Sequence, residues 1–248
     1  MTGIRHTSVS IVLPLYNPPE RWYEQFQKNI KEWNDYLSPA EKVEYIVVYD
    51  GDPVWEVKEQ FKWIVDNYKE VRFLTYKINK GKGHALRHGV RHAVADTILT
   101  VDFDFPYQKE SAGEMIKLLR EGNDVIIGKR SKEYFTQIPF KRKVISKVFS
   151  SVATFFLGLP LKDTQSGMKG FNKKGKEVFL ETTINRFLVD TEFVLRAWKK
   201  DLLMKIIEIQ PKPYLSFTNF GMKVIKTESR NFLKLLYLKR VLQKKQRA

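Results

Sequence analysis

TILTVDFDFPYQ, residues 97–108, begins as a strand and ends in two carboxylates, Asp102 and Asp104, with one phenylalanine between them. Threonine, isoleucine, leucine and valine suit a pleated, buried ribbon. On a strand, side chains i and i+2 share a face, so both acids are expected on one side at the strand's end. Two like charges so placed repel unless something positive lies between them. Hard cations such as Mg2+ or Mn2+ take carboxylate oxygens and keep other positions for water and phosphate. The spacing also fits two solvated acids at a strand end, so the surrounding chain has to decide.

Working outward, short β-branched runs alternate with longer segments of helical period. SVSIVLPLY (8–16) reads as a strand and 19–36 as a helix with Trp22, Phe26, Ile30 and Trp33 on one stripe. VEYIVVYD is a strand; 54–68 is a helix with Val57, Phe61, Ile64 and Val65 inward. VRFLTYK, a helix over 82–95, TILTVDF, a helix over 108–121 and NDVIIGKR continue the pattern. Such βα alternation predicts an α/β fold, a Rossmann-like, mostly parallel central sheet with helices on both faces. Ligands of such sheets bind beyond the carboxyl ends of the strands, where Asp50, Asp102, Asp104 and Arg130 fall. After residue 130 the alternation loosens. IPFKRKVISKVFSSVATFF reads as a helix, KDTQSGMKGFNKKG as turns, VDTEFVLRAWKKDL as a helix and LMKIIEIQPKPY as a strand. A basic helix follows from Glu228, with Phe232, Leu235, Leu236, Leu238 and Leu242 among lysines and arginines.

The 248 residues are 43% hydrophobic and 13% aromatic, enough to bury a large core. Lys and Arg outnumber Asp and Glu by 44 to 28, a formal charge of +16 that favours polyanions, anionic membranes or phosphorylated substrates. The chain has no cysteine, which excludes disulfides and thiolate metal sites. The N-terminus lacks the long apolar core and cleavage site of a signal peptide and reads as a first strand. No apolar run reaches the ~18 residues of a membrane span. His84, His88 and His92, four apart, share a helix face, but no glutamate lies between them as in a His-Glu-x-x-His zinc site, so they read as a polar face. Gly81, Lys82 and Gly83 stand at a helix start, where backbone N–H groups and a lysine suit a phosphate.

The ordered set LPLYN, VVYDGDP, NKGKGHAL, VDFDF, GKR, RKVIS and DTQSGMKGF resembles family 2 glycosyltransferases of the GT-A fold, and within them the polyprenyl-phosphate hexosyltransferases. The resemblance covers roughly residues 8–225. It implies an inverting enzyme that moves mannose or glucose from GDP-mannose or UDP-glucose to polyprenyl (dolichyl) phosphate, with Mg2+ or Mn2+ as cofactor. By that resemblance Pro14, Tyr16 and Asn17 line the nucleotide pocket, Asp50 contacts the base, and Lys82 and Gln108 border the donor. Asp102 and Asp104 hold the metal. Arg130, Arg142, Ser146 and Lys223 receive the acceptor phosphate, Asp163, Gln165, Ser166 and Gly167 form the acceptor-side loop, and Asp190 and Glu192 adjoin the sugar. Tyr49 and Asp52 replace residues usual in the second motif, His84 stands in the third, and Thr218 replaces a late arginine.

The expected organisation is a catalytic domain over 1–228 and a basic amphipathic helix over 229–248 that touches a membrane surface. The expected location is cytoplasmic, peripheral at the membrane's cytoplasmic face. Three other readings remain: a GT-A transferase with a soluble or polysaccharide acceptor, a basic binding module without catalysis, and a catalytically silent homologue, given Tyr49 and Thr218. Nucleic acid is not expected as a partner, because the aromatic and basic interleaving of single-strand binders is missing.

Overall fold

Val9–Leu15 (β1) runs through the middle of the sheet, and its alternation explains both layers. A computed structural model describes residues 8–38, 40–138, 143, 150, 154–159, 163, 164, 166–213 and 222–245, with the backbone alone at 222–226, 244 and 245. Ile11 and Leu13 face one side, where Trp22–Leu37 (α1), Trp55–Asn67 (α2) and Lys109–Arg120 (α4) lie over them. Val12 faces the other, against Lys82–His92 (α3), Lys173–Leu180 (α6), Val189–Lys199 (α7) and Met222–Lys245 (α8). A strand buried on both faces needs an almost unbroken apolar run, which SIVLPL supplies.

The remaining strands are Val43–Tyr49 (β2), Val71–Thr75 (β3), Thr97–Thr100 (β4), Val125–Arg130 (β5), Lys169–Phe171 (β6) and Met204–Ile209 (β7). Lys132–Gln137 is a short helix, α5. The sheet order is β3-β2-β1-β4-β6-β5-β7. It is parallel except for β6, which runs antiparallel to both β4 and β5. The expected α/β class with a mostly parallel sheet is therefore what the structure shows.

β6 lies inside the segment expected to be all turns. Three residues carry no usable period, and the middle one is glycine. That glycine is needed, because a Cβ at Gly170 would come within 2.9 Å of the Leu99 side chain and 3.1 Å of Leu119. The stretch 139–142, 144–149 and 151–153, expected to be helical, lies outside the described residues. The C-terminal helix starts at Met222, not near 228, and is anchored by the buried Leu235.

Candidate active site

Strand β4 stops at Thr100, earlier than its apolar run suggests, and proline 14 explains where. The Val12 carbonyl accepts from Val101 N at 3.1 Å. Pro14 faces the same side but has no N–H to extend that ladder. Past Val101 the chain turns: Phe105 N donates to the Asp102 carbonyl at 2.9 Å. Phe105 takes the left-handed region, φ +48°, unusual for an aromatic residue. Its ring is fully buried, edge-on to Trp33 at 4.9 Å, and that burial holds the turn. Asp102 and Asp104 therefore lie on a turn, not on a strand, and the shared-face argument from strand alternation does not apply to them. Asp102 is half-buried and Asp104 exposed.

Asp102 belongs to a row of alternating charges. Lys82 Nζ lies 2.7 Å from Asp102 Oδ1 and 3.4 Å from Asp190 Oδ2. The other Asp190 oxygen takes Lys169 Nζ at 2.9 Å. Lys169, on β6, is completely buried, and its side chain folds back to the Ser166 carbonyl. Burial alone would raise the Asp190 carboxyl, but Lys169 and Lys82 outweigh it and hold Asp190 below the usual carboxylate range. Burial also opposes the Lys82 charge, and Asp102 with Asp190 overcomes it, so Lys82 stays an ammonium. Lys169 was not among the expected site residues. Its local sequence gives no signal that singles it out, since Lys205 and Lys117 are likewise flanked by apolar residues.

The start of α3 is committed to the protein itself. Gly81 N donates to Asp50 Oδ2 at 2.7 Å and Gly83 N to the Asn185 carbonyl at 2.8 Å. A Cβ at Gly81 or Gly83 would strike the carbonyls of Asn185 and Ile184, respectively. These glycines let the 184–186 loop approach the helix, and their own N–H groups are already bonded. Asp50 is equally engaged. Its carboxylate accepts from Tyr76 Oη at 2.7 Å, Asn79 Nδ2 at 2.9 Å and Lys80 N at 2.7 Å, besides Gly81. It thus organises the 76–81 loop at the carboxyl end of β3.

Arg130, at the end of β5, forks onto Asp163. Its Nε meets Oδ2 at 2.9 Å and its Nη2 meets Oδ1 at 2.7 Å. Tyr134 and Phe135 flank the guanidinium at 5.0 and 5.2 Å. Ser166 donates to the Gly128 carbonyl. This fixes Gly167 against the Asp102 carboxylate, where a Cβ would overlap its oxygens. Gly167 has ordinary φ, so the exclusion is one of contact rather than backbone strain. Gly167→Ala is expected to displace Asp102 and lower kcat/KM about 10²-fold, with thermal unfolding little changed. A transfer assay beside a melting curve checks both.

Two acids expected together are separated. Asp190 and Glu192 are two apart on α7 and point in different directions. Glu192 takes Thr183 N at 2.9 Å, Ile184 N at 2.8 Å and Arg196 Nε at 2.8 Å, far into the 182–184 loop. Only Asp190 joins the charge row. Tyr16 is exposed beside Tyr49, their ring centroids 6.3 Å apart. Gln108 has an exposed side chain and precedes α4, its N–H bonded to the Gln210 carbonyl at 3.0 Å. His84, His88 and His92 form a ladder with Tyr76 against its upper end, and burial lowers the first two imidazoles. Among the described residues no three histidine or carboxylate side chains gather as for a metal ion. Arg142, Ser146, Gln165 and Thr218 lie outside the described residues, as does the side chain of Lys223.

Residues 10–179 match the family described as "Glycosyl transferase family 2". Glycosyltransferase AglD of Haloferax volcanii is 28% identical over 194 residues, 76% of this chain and 30% of AglD. Human dolichyl-phosphate beta-glucosyltransferase is 28% identical over 202 residues, 76% of this chain and 62% of the human one. The Saccharomyces cerevisiae enzyme of that name is 26% identical over 224 residues, 81% of this chain and 66% of its own. The chain thus spans less than two thirds of the length of these curated relatives. Glucosyl-3-phosphoglycerate synthase from Mycobacterium tuberculosis, crystallised with Mn2+, UDP and phosphoglyceric acid, superposes with a TM-score of 0.66 at 14% identity, covering 94% of this chain and 78% of that one. At that identity the likeness is one of fold, and it agrees with the GT-A architecture. With motifs, sheet order and family match in agreement over most of its length, this chain belongs to glycosyl transferase family 2.

Proposed function

We propose that the chain transfers a hexose from a nucleotide diphosphate sugar to polyprenyl (dolichyl) phosphate, with inversion at the anomeric carbon. The carrying observation is the acid pair at the β4 end, with Asp102 facing Lys82 and backed by Asp190 and Lys169. Relatives named dolichyl-phosphate beta-glucosyltransferase favour glucose and UDP-glucose over mannose and GDP-mannose. A β product from an α-linked donor requires inversion, hence one displacement.

The donor set suits a hard cation: Asp102 already holds a positive group, the Lys82 ammonium, and Asp104 stands exposed two residues on. Asp102 and Asp104 would hold Mg2+ or Mn2+. Bound there, the cation would neutralise the departing diphosphate. The chain's own residues do the rest. Lys82 adds a fixed positive charge beside the diphosphate. Asp190 faces the donor side through Lys82. Arg130 holds Asp163, and Ser166, bonded to the Gly128 carbonyl, keeps Gly167 against Asp102. The nucleophile is a phosphate monoester, largely dianionic near neutral pH because its second pKa is about 6. It attacks without a strong base, so positioning and charge carry the rate.

The outward face of α8 supports a membrane location. Arg230, Leu233, Lys234, Tyr237 and Arg240 follow one helical stripe, with Leu233 65% and Tyr237 71% exposed. Residues 229–248 hold no Asp or Glu against seven Lys and Arg, and the charges on the described stripe, Arg230, Lys234 and Arg240, are all positive. Lys239 ties this helix to the Phe156 carbonyl at 2.8 Å, beside the exposed Phe155. No described helix is long and apolar enough to cross a membrane. Such a face fits the anionic cytoplasmic leaflet, each cation near the surface contributing about 1 kcal/mol.

The test supplies the purified chain with labelled UDP-glucose or GDP-mannose and Mn2+. Dolichyl phosphate is offered in neutral or anionic vesicles, with a soluble glucan as a parallel acceptor. The expected product is a hexosyl lipid, formed faster on anionic vesicles and from UDP-glucose. Transfer to the soluble acceptor alone would replace the lipid reading. Steeply salt-dependent RNA binding without any transfer would favour the binding module.

A further inference from the structure

The ammonium of Lys82 is not midway between its two acids. It lies 2.7 Å from the half-buried Asp102 and 3.4 Å from the fully buried Asp190. A buried carboxylate ordinarily draws a cation more strongly than a half-exposed one, because water screens it less. The bias is reversed here because Asp190 is already served by Lys169 at 2.9 Å. Lys169 is completely buried on β6, and its other contact is the Ser166 carbonyl one residue before Gly167. Gly167 in turn abuts Asp102.

We propose that Lys82 is a resident counter-ion that competes with the divalent cation for Asp102, and that Lys169 is a positioning residue that sets this competition through Asp190. Before the donor arrives, Asp102 is neutralised by Lys82, so a cation alone finds a weakened ligand. The incoming diphosphate brings negative charge that takes up the ammonium and releases Asp102. Cation and nucleotide therefore bind in mutual support, and a loose cation is not held by the empty site. The inference rests on Asp102 being a cation ligand, as in the proposed function.

The test follows free Mn2+ by its paramagnetic resonance signal on the full chain, without sugar donor or lipid. Lys82→Met is expected to tighten binding of Mn2+ alone by at least about tenfold, since one unit charge beside the ligand is gone. Lys169→Met is expected to tighten it as well, by less, because Asp190 then draws Lys82 inward. The double variant should match Lys82→Met, so the two effects do not add. UDP should raise Mn2+ affinity strongly in the wild type and weakly in Lys82→Met. Unchanged or weaker Mn2+ binding in Lys82→Met overturns the proposal, as does wild-type binding by Asp102→Asn. Lys82→Met leaves Asp190 paired with Lys169 and carries the test if Lys169→Met fails to fold. A chain that shows these shifts yet transfers no hexose to lipid phosphate would keep this inference and lose the proposed function.

Discussion

Asp102→Asn and Asp104→Asn are each expected to lower kcat/KM for hexose transfer by about 10²–10³-fold, with little loss of stability. Asparagine keeps the size and one oxygen of the side chain but removes its charge. The charge is what would hold a cation against the leaving diphosphate, a contribution of several kcal/mol. At about 1.4 kcal/mol per factor of ten, a loss of 3–4 kcal/mol is the stated range. Folding is spared because neither removal isolates a buried charge. Asp104 is exposed, and without Asp102 the Lys82 ammonium keeps Asp190. Steady-state transfer and thermal unfolding, measured on the same preparations, separate these effects. Transfer retained within threefold in both variants would remove the acid pair from the chemistry.

Asp163→Ala is expected to act the other way, chiefly on stability. Arg130 and Asp163 are each 9% exposed, and the fork uses two guanidinium nitrogens. Removing one partner of a buried pair typically costs about 3–5 kcal/mol, because the other charge loses its compensation. Tyr134 and Phe135 bracket the guanidinium, so it cannot swing into water without giving up those contacts. For a chain of this size the melting temperature should fall by roughly 10 °C. Replacing both partners, Arg130→Met with Asp163→Leu, should recover much of the loss, since no lone charge remains. If Asp163→Ala melts within 2 °C of the wild type, the pair is not the clamp described.

The fold was legible where periodicity is strong. Each of β1 to β5 is a short, largely apolar run containing β-branched residues, and the stripes of α1 and α2 fall where spacing places them, with Val65 half-buried at one margin. β6 was not legible because its identity is set by neighbours: a lysine, a glycine and a phenylalanine become a strand only between β4 and β5. The end of β4 is not legible in its own sequence for a related reason. It depends on a proline 86 residues earlier in the chain, across the sheet. The site was legible as a set of strand-end acids. Local spacing does not tell which partners those acids choose. Asp50 and Glu192 turn to backbone N–H groups, whereas Asp102 and Asp190 turn to lysines. Glycines beside Lys82 look alike whether they face a phosphate or a loop 100 residues away.

The reversed strand β6 also has a bearing on how the protein is made. As the nascent chain leaves the ribosome, β1 to β4 can pair at once, yet β4 shows an unfilled edge until residues 169–171 emerge and insert beside it. β5, although synthesised earlier, has no place in the sheet before then, since it is joined to β4 only through β6. For some 70 residues of synthesis a bare strand edge, the kind that templates aggregation, waits for its cover. Any fragment ending before Phe171 would carry that edge permanently.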